Sequence, residues 1–112
     1  MREPTYFVLA ALIDGPLHGY AIIKRAEEAS HGRVKLATGT LYTALDRLTA
    51  EGYVRLVSEE IVNGRNRRSY GLTEDGGHAV LAEARRMLEA AALVMKTSGR
   101  STVRTAPKLK TV

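Results

Sequence analysis

The chain has 112 residues, 45% of them apolar and none of them cysteine, and 17 basic against 12 acidic side chains give a formal net charge of +5. That length supports one domain with one core and makes a partner subunit the natural way to bury more surface, while the lack of cysteine excludes disulfide frameworks, thiolate zinc sites and cysteine nucleophiles together. The positive charge suggests a nucleic acid, but Arg100, Arg104, Lys108 and Lys110 lie in the acid-free segment 98–112, so the body is nearly neutral and the placement of charge matters more than its sum.

Pro4 suits a first helical turn, and the apolar stretch 6–13 predicts a helix buried on most sides. This longest apolar run is far short of the roughly 20 residues of a membrane span, and no small-residue cleavage site follows it. A soluble, cytoplasmic protein without an export signal or a membrane partner is therefore expected. Gly15-Pro16 is expected to end the helix, glycine as a left-handed C-cap and proline as a stop. A second helix is predicted over 19–29, with Ile22, Ala26 and Ala29 on its inner stripe and Lys24, Arg25, Glu27 and Glu28 mostly outside; His31-Gly32 closes it.

After a short extended piece at 34–36, Thr38 is expected to cap a third helix over about 39–50, whose Leu41, Leu45 and Leu48 recur at helical spacing and form its inner face. Glu51-Gly52 ends it. Residues 53–61 have the β-branched and apolar content of a strand, Asn63-Gly64 is a strong reverse-turn signal, and 68–72 reads as the returning strand, so one hairpin is predicted. Thr73 with Glu74 and Asp75 opens a fourth helix running to about Thr97. It carries two apolar stripes, Val80, Ala84, Met87, Ala91 and Val94 on one and Leu81, Leu88, Ala92 and Met95 on the other. Two stripes need two partners, so one is assigned to the core and the second to a dimer seam. Segment 98–112 is polar and basic, includes Pro107, and is expected to be a flexible tail.

The order helix, helix, helix, hairpin, helix is that of a winged helix-turn-helix, in which the third helix enters a DNA groove and the hairpin lies as a wing against the backbone. The predicted fold class is mainly α with a small β-hairpin: a DNA-binding unit over 1–73, a dimerisation helix over 74–97 and the tail over 98–112. With its leucines turned inward, the third helix presents Thr38, Gly39, Thr40, Tyr42, Thr43, Asp46 and Arg47. Hydroxyls and backbone amides at a helix start meet phosphates and base edges. Arg65, Arg67 and Arg68 crowd the hairpin tip and suit phosphate contact or a narrow minor groove. Tyr42 stands evenly between DNA contact and packing against the hairpin.

His18, His31 and His78 are scattered without a second ligand at metal spacing, and a structural role is assigned to them, His18 ordering the turn before the second helix. Glu59-Glu60 and Glu74-Asp75 are explained as a strand end and a helix start. Nothing near them supplies a nucleophile or a phosphate-cradling loop, so neither an enzyme nor a cofactor or metal is expected.

The chain resembles the PadR-like transcription regulators of bacteria. The matching segments are Gly15-Pro16-Leu17-His18-Gly19-Tyr20 with Ile22-Ile23-Lys24-Arg25, then Gly39-Thr40-Leu41-Tyr42 with Ala44-Leu45 and Arg47-Leu48, then Glu51-Gly52-Tyr53, and finally Gly64-Arg65-Asn66-Arg67-Arg68 with Tyr70, Leu72-Thr73 and Gly76. The pattern is broken at Thr43 and Asn66, where proline is common, at Ala21, and at the small Ser69 and Gly71. The resemblance implies a dimeric transcription factor of the short subgroup, commonly a repressor, whose last helix pairs with its partner. The expected function is sequence-specific binding of a pseudo-palindromic operator in double-stranded DNA by a homodimer. The alternative is a winged-helix module for protein or RNA, since the fold alone does not dictate its ligand. The resemblance also allows a small-molecule effector of unstated identity at the dimer interface, although a chain with no tryptophan and one phenylalanine is poorly equipped to stack an aromatic one.

Overall fold

The computed structural model describes residues 1–97 and 104–109. The elements run α1 (Glu3–Ala11), β1 (Leu17–His18), α2 (Gly19–Ala29), α3 (Thr38–Ala50), β2 (Val54–Val62), β3 (Arg65–Leu72) and α4 (Glu74–Thr97). The architecture is mainly α with a small sheet, as expected, plus one strand that the sequence does not announce.

Each helix contributes one apolar stripe to a common core. Val8, Leu9, Ala11 and Leu12 come from α1 and its exit, Ile22 from α2, Leu41, Leu45 and Leu48 from α3, Val54 and Tyr70 from the hairpin, and Val80 from α4. The three leucines of α3 are 0% exposed, and each such side chain stabilises the fold by about 1.5–3 kcal/mol through burial alone. Together they fix the rotation of α3, and hence which residues face outward.

Local chemistry corrects several boundaries. Helix α1 stops at Ala11, ahead of Gly15, because the amides of Leu12 and Ile13 bond three residues back to the carbonyls of Leu9 and Ala10, tightening the chain out of the helix before glycine is reached. In α2 the inner stripe continues from Ala26 to Ser30 rather than Ala29, which is exposed. Buried Ser30 is satisfied by donating from Oγ to the Glu27 carbonyl at 3.2 Å and accepting from the Val34 amide at 2.9 Å. Thr38 is already helical and caps nothing; Ala37 occupies the N-cap without a side-chain bond. His18 does order the start of α2, its Nδ1 accepting from the Ala21 amide at 3.2 Å.

The sheet is antiparallel in the order β1-β3-β2. Strand β1 is two residues long and pairs Leu17 with Tyr70 and His18 with Ser69. Gly71 leaves room for the chain entering β1, since a Cβ there would lie 3.2 Å from the Pro16 ring. Asn63 and Gly64 take φ of 53° and 75°, both positive as the two-residue hairpin turn requires. Because that turn carries the ladder up to its ends, β3 begins at Arg65 rather than at residue 68.

Thr73 caps α4 through its Oγ1, which accepts from the Gly76 amide at 3.0 Å and donates to the Gly52 carbonyl. Gly76 is needed because the helix start lies on the carbonyl of Tyr53: a Cβ would sit 1.9 Å from that oxygen. Farther along, Glu83 accepts a bidentate bond from Arg86 at 2.8 Å and a further one from the N-terminal ammonium at 3.3 Å, and these two cations, Arg86 first, lower its carboxyl pKa to about 2. Val80 is buried and Ala84 half-buried, but Met87, Ala91 and Val94 of the expected core stripe are exposed, because α4 outruns the body after about three turns. Leu81, Leu88, Ala92 and Met95 are exposed as well, Leu88 at 71% and Met95 at 72%. Among the described residues no helix is long and apolar enough to cross a membrane. The expected tail lies outside the described residues except for 104–109, which are exposed and form neither helix nor strand.

Candidate nucleic-acid interface

The polar surface of α3 follows from the rotation that its leucines impose. Thr38, Gly39, Thr40, Thr43 and Asp46 are all exposed. The first turn, with its unpaired backbone amides, carries no side-chain cap. Thr40, Thr43 and Arg47 line a cleft of about 680 Å³ with Arg2, Pro4 and Thr5 from the start of α1.

Arg47 faces that cleft but is engaged within the protein. It donates from Nη1 to Glu51 Oε1 at 2.9 Å and from Nη2 to the Thr5 hydroxyl at 3.0 Å. The guanidinium therefore ties α3 to α1, and a phosphate or base would have to compete with both acceptors.

Tyr42 packs against the hairpin, as one of its two readings has it, and also lines the groove beside the wing. It is half-buried, its ring meets the edge of Tyr70 with centroids 6.4 Å apart, and its phenol oxygen lies 2.6 Å from where a Cβ on Gly19 would be. Glycine at 19 is what allows the tyrosine to lie there. The ring spaces α3 from β3 and closes one end of a groove of about 510 Å³ between α2, α3 and the hairpin.

That groove is also lined by His18, Tyr20, Asn63, Arg65, Arg67 and Arg68. The three arginines are exposed, but they are residues of a strand and do not all project from its tip. Alternation along β3 sends Arg65 and Arg67 to one face and Arg68 to the other, the face that continues into buried Tyr70 and hence toward α3. Arg68 Nε donates to Glu59 Oε1 at 3.3 Å, and the Asn66 side-chain amide donates to the same oxygen. These bonds, Asn66 first and Arg68 second, hold the Glu59 carboxyl below the usual carboxylate range. Arg65 and Arg67 have no ion pair among the described residues.

Sequence reasoning missed Tyr20, which is 73% exposed at the groove, although it stands in the His-Gly-Tyr segment already singled out. It also missed Arg2 and Thr5, which only the packing of α1 beside α3 brings to the surface. Among the described residues no group of three histidine, cysteine, aspartate or glutamate side chains is placed to hold a metal ion.

Residues 8–83 match the profile of the family described as the transcriptional regulator PadR-like family. The chain is 41% identical over 83 residues to a transcriptional regulator of Mycobacterium tuberculosis, an alignment covering 73% of this chain and 72% of that protein. It is 39% identical over 97 residues to an uncharacterized 37.1 kDa protein in transposon Tn4556 of Streptomyces fradiae, covering 87% of this chain but 26% of the relative, so it spans about a quarter of that protein's length. Among solved structures, Bacillus subtilis PadR in complex with operator DNA has the same fold, with a TM-score of 0.65 at 22% identity over 99% of this chain and 52% of that one.

Proposed function

The chain belongs to the PadR-like family of transcriptional regulators, and we propose from that premise that it is a cytoplasmic, sequence-specific repressor that binds a pseudo-palindromic operator as a homodimer. The observation that carries the reading is the rotation of α3. Leu41, Leu45 and Leu48 are buried, which leaves the hydroxyls of Thr40 and Thr43 outward on an exposed helix beside an arginine-bearing hairpin. In this reading α3 lies in the major groove, where Thr40 and Thr43 meet base edges and the uncapped first turn at Thr38 and Gly39 meets a phosphate. Arg65 and Arg67 contact the adjacent backbone as point charges. Arg47 and Arg68 join them only by giving up their internal acceptors, and Tyr42 sets the spacing between helix and wing.

Dimerisation is assigned to α4. Its exposed Leu81, Leu88, Ala92 and Met95 lie on one stripe of a helix whose docking to the body ends near Ala84. A two-fold seam there places two copies of α3 on successive grooves, and repression follows from occupying DNA that the transcription machinery needs. The solved Bacillus subtilis PadR, which shares this fold, is in complex with operator DNA, and that supports the DNA-binding part of the reading.

The test is selection of fragments from the source genome by the purified protein, followed by footprinting in the presence of competitor RNA. A protected pseudo-palindrome with half-sites about one helical turn apart, roughly 10 base pairs or a multiple of it, is expected. An asymmetric half-site held by one subunit would contradict the dimer, and displacement by RNA would make the chain an RNA-binding module instead.

A further inference from the structure

We propose that Glu59 is a built-in counter-charge of the wing: its carboxylate occupies Arg68, the wing arginine nearest α3, so that a DNA phosphate engages Arg68 only in competition with it. This inference rests on the DNA-binding reading above and names a residue that sets its affinity.

The register of the hairpin places Glu59 across from Arg68 and its neighbour Glu60 across from Arg67. Two like pairs thus lie side by side on opposite faces of one ladder, yet only the first is an ion pair. The difference is Asn66. It lies two residues before Arg68 on the same face of β3, diagonal to Glu59, and its amide holds the carboxylate oxygen that Arg68 also holds. Arg67 has Arg65 and Ser69 as its same-face neighbours, and neither clamps Glu60.

A phosphate reaching Arg68 brings a second anion within a few ångströms of a carboxylate that two donors keep ionised. The repulsion disfavours the complex, or the carboxylate must swing away and leave Asn66. Both side chains of the pair are roughly half exposed, so the competition is that of a surface pair, worth about a factor of two to five in affinity. Of the three wing arginines, the one facing α3 is the one held back.

The test uses the full chain, a fluorescent random-sequence DNA duplex as probe, and a salt titration, because phosphate contacts need no particular sequence. Glu59→Gln keeps the shape and an acceptor but removes the charge, and Glu60→Gln makes the same charge change next door. Both variants gain the general benefit of one less negative charge. Glu59→Gln should exceed Glu60→Gln by about two- to fivefold and steepen the salt slope by up to about one unit. In an Arg68→Ala background that advantage should vanish, since coupling of this kind appears only while both partners are present. Equal gains from the two variants in both backgrounds would reduce Glu59 to one nearby charge among others and overturn the proposal. Weaker binding by Glu59→Gln than by the unaltered chain would also overturn it, by showing that the carboxylate orients Arg68 for phosphate. If no version binds the duplex even at low salt, the DNA-binding reading itself fails and the proposal with it.

Discussion

Helix α3 and the β2–β3 wing border the same groove, yet three fully buried leucines hold the one and a backbone ladder holds the other. Beyond Val54 and short of Ser69, every residue of the wing is exposed apart from Val62 at the turn. Its shape comes from cross-strand hydrogen bonds, the Asn63-Gly64 turn and the Glu59 clamp. A helix anchored by its core can hold side chains at fixed positions, which reading base edges requires. A ribbon without a core can still follow a phosphate backbone, where charge matters more than position. The division of labour proposed for the two regions is thus already present in how each is held.

The largest effect comes from breaking the anchor of α3. Replacing Leu45, which is 0% exposed, with aspartate buries a charge without a partner and removes a core side chain. The lost core side chain costs about 2–5 kcal/mol and the unpartnered charge about 3–5 kcal/mol more, together comparable with a total stability of about 5–15 kcal/mol. The variant should be unfolded or nearly so by circular dichroism, whereas an equivalent change at exposed Ile61 of the wing should leave the melt within a few degrees. Next in size is the seam. Replacing Leu88 and Met95 with glutamate should yield folded monomers in sedimentation and abolish tight operator binding together, and a variant that still sediments as a dimer would place the seam elsewhere.

The two regions separate most clearly at their surfaces. Thr40→Ala or Thr43→Ala should change the sequence preferred in a binding-site selection, by about 1–3 kcal/mol for each specific hydrogen bond to a base edge that is removed, with little change in melting. Arg65→Ala with Arg67→Ala should instead weaken binding to all sequences alike and flatten the salt slope by about one unit for each phosphate no longer neutralised. If the threonine variants keep the original preference and the arginine variants change it, the roles of helix and wing are reversed.

What could be foreseen follows the same divide. The leucines of α3 and the Asn63-Gly64 turn are local signals, legible because helical spacing and positive φ leave marks on neighbouring residues. The limits of β1 are not, since a two-residue strand has no alternation to detect and exists only because β3 offers its edge. The engagement of Arg47 depends on Thr5, far away in the chain, and only the packing of α1 on α3 brings them together. Within the wing, the three arginines read as equals in sequence. The register separates them, by giving Arg68 a carboxylate that the Asn66 amide also holds, while Arg65 and Arg67 have no ion pair among the described residues. The extent of α4 was visible from its periodicity. The point where its burial ends was not, because that depends on where the body ends.

The smallest effect expected is a difference in acid sensitivity between the two regions. The Glu59 carboxyl is lowered from its ordinary value near 4.5, first by Asn66 and then by Arg68. A carboxylate depressed in the folded state contributes stability that is present above the unfolded value and lost as the pH falls through the folded one. Below about pH 4.5 the clamp across the wing should therefore weaken progressively, while the leucines that hold α3 have nothing to titrate. Amide hydrogen exchange, corrected for the intrinsic pH dependence of the exchange rate, should show β2 and β3 losing protection around Glu59 and Arg68 at a pH where α3 still keeps its own. Glu59→Gln should remove most of that pH dependence from the wing, because the group that titrates is gone while the ladder remains. Simultaneous loss of protection in α3 and the wing would mean that the two open as a single cooperative unit, and that the ribbon is held by more than its ladder and its clamp.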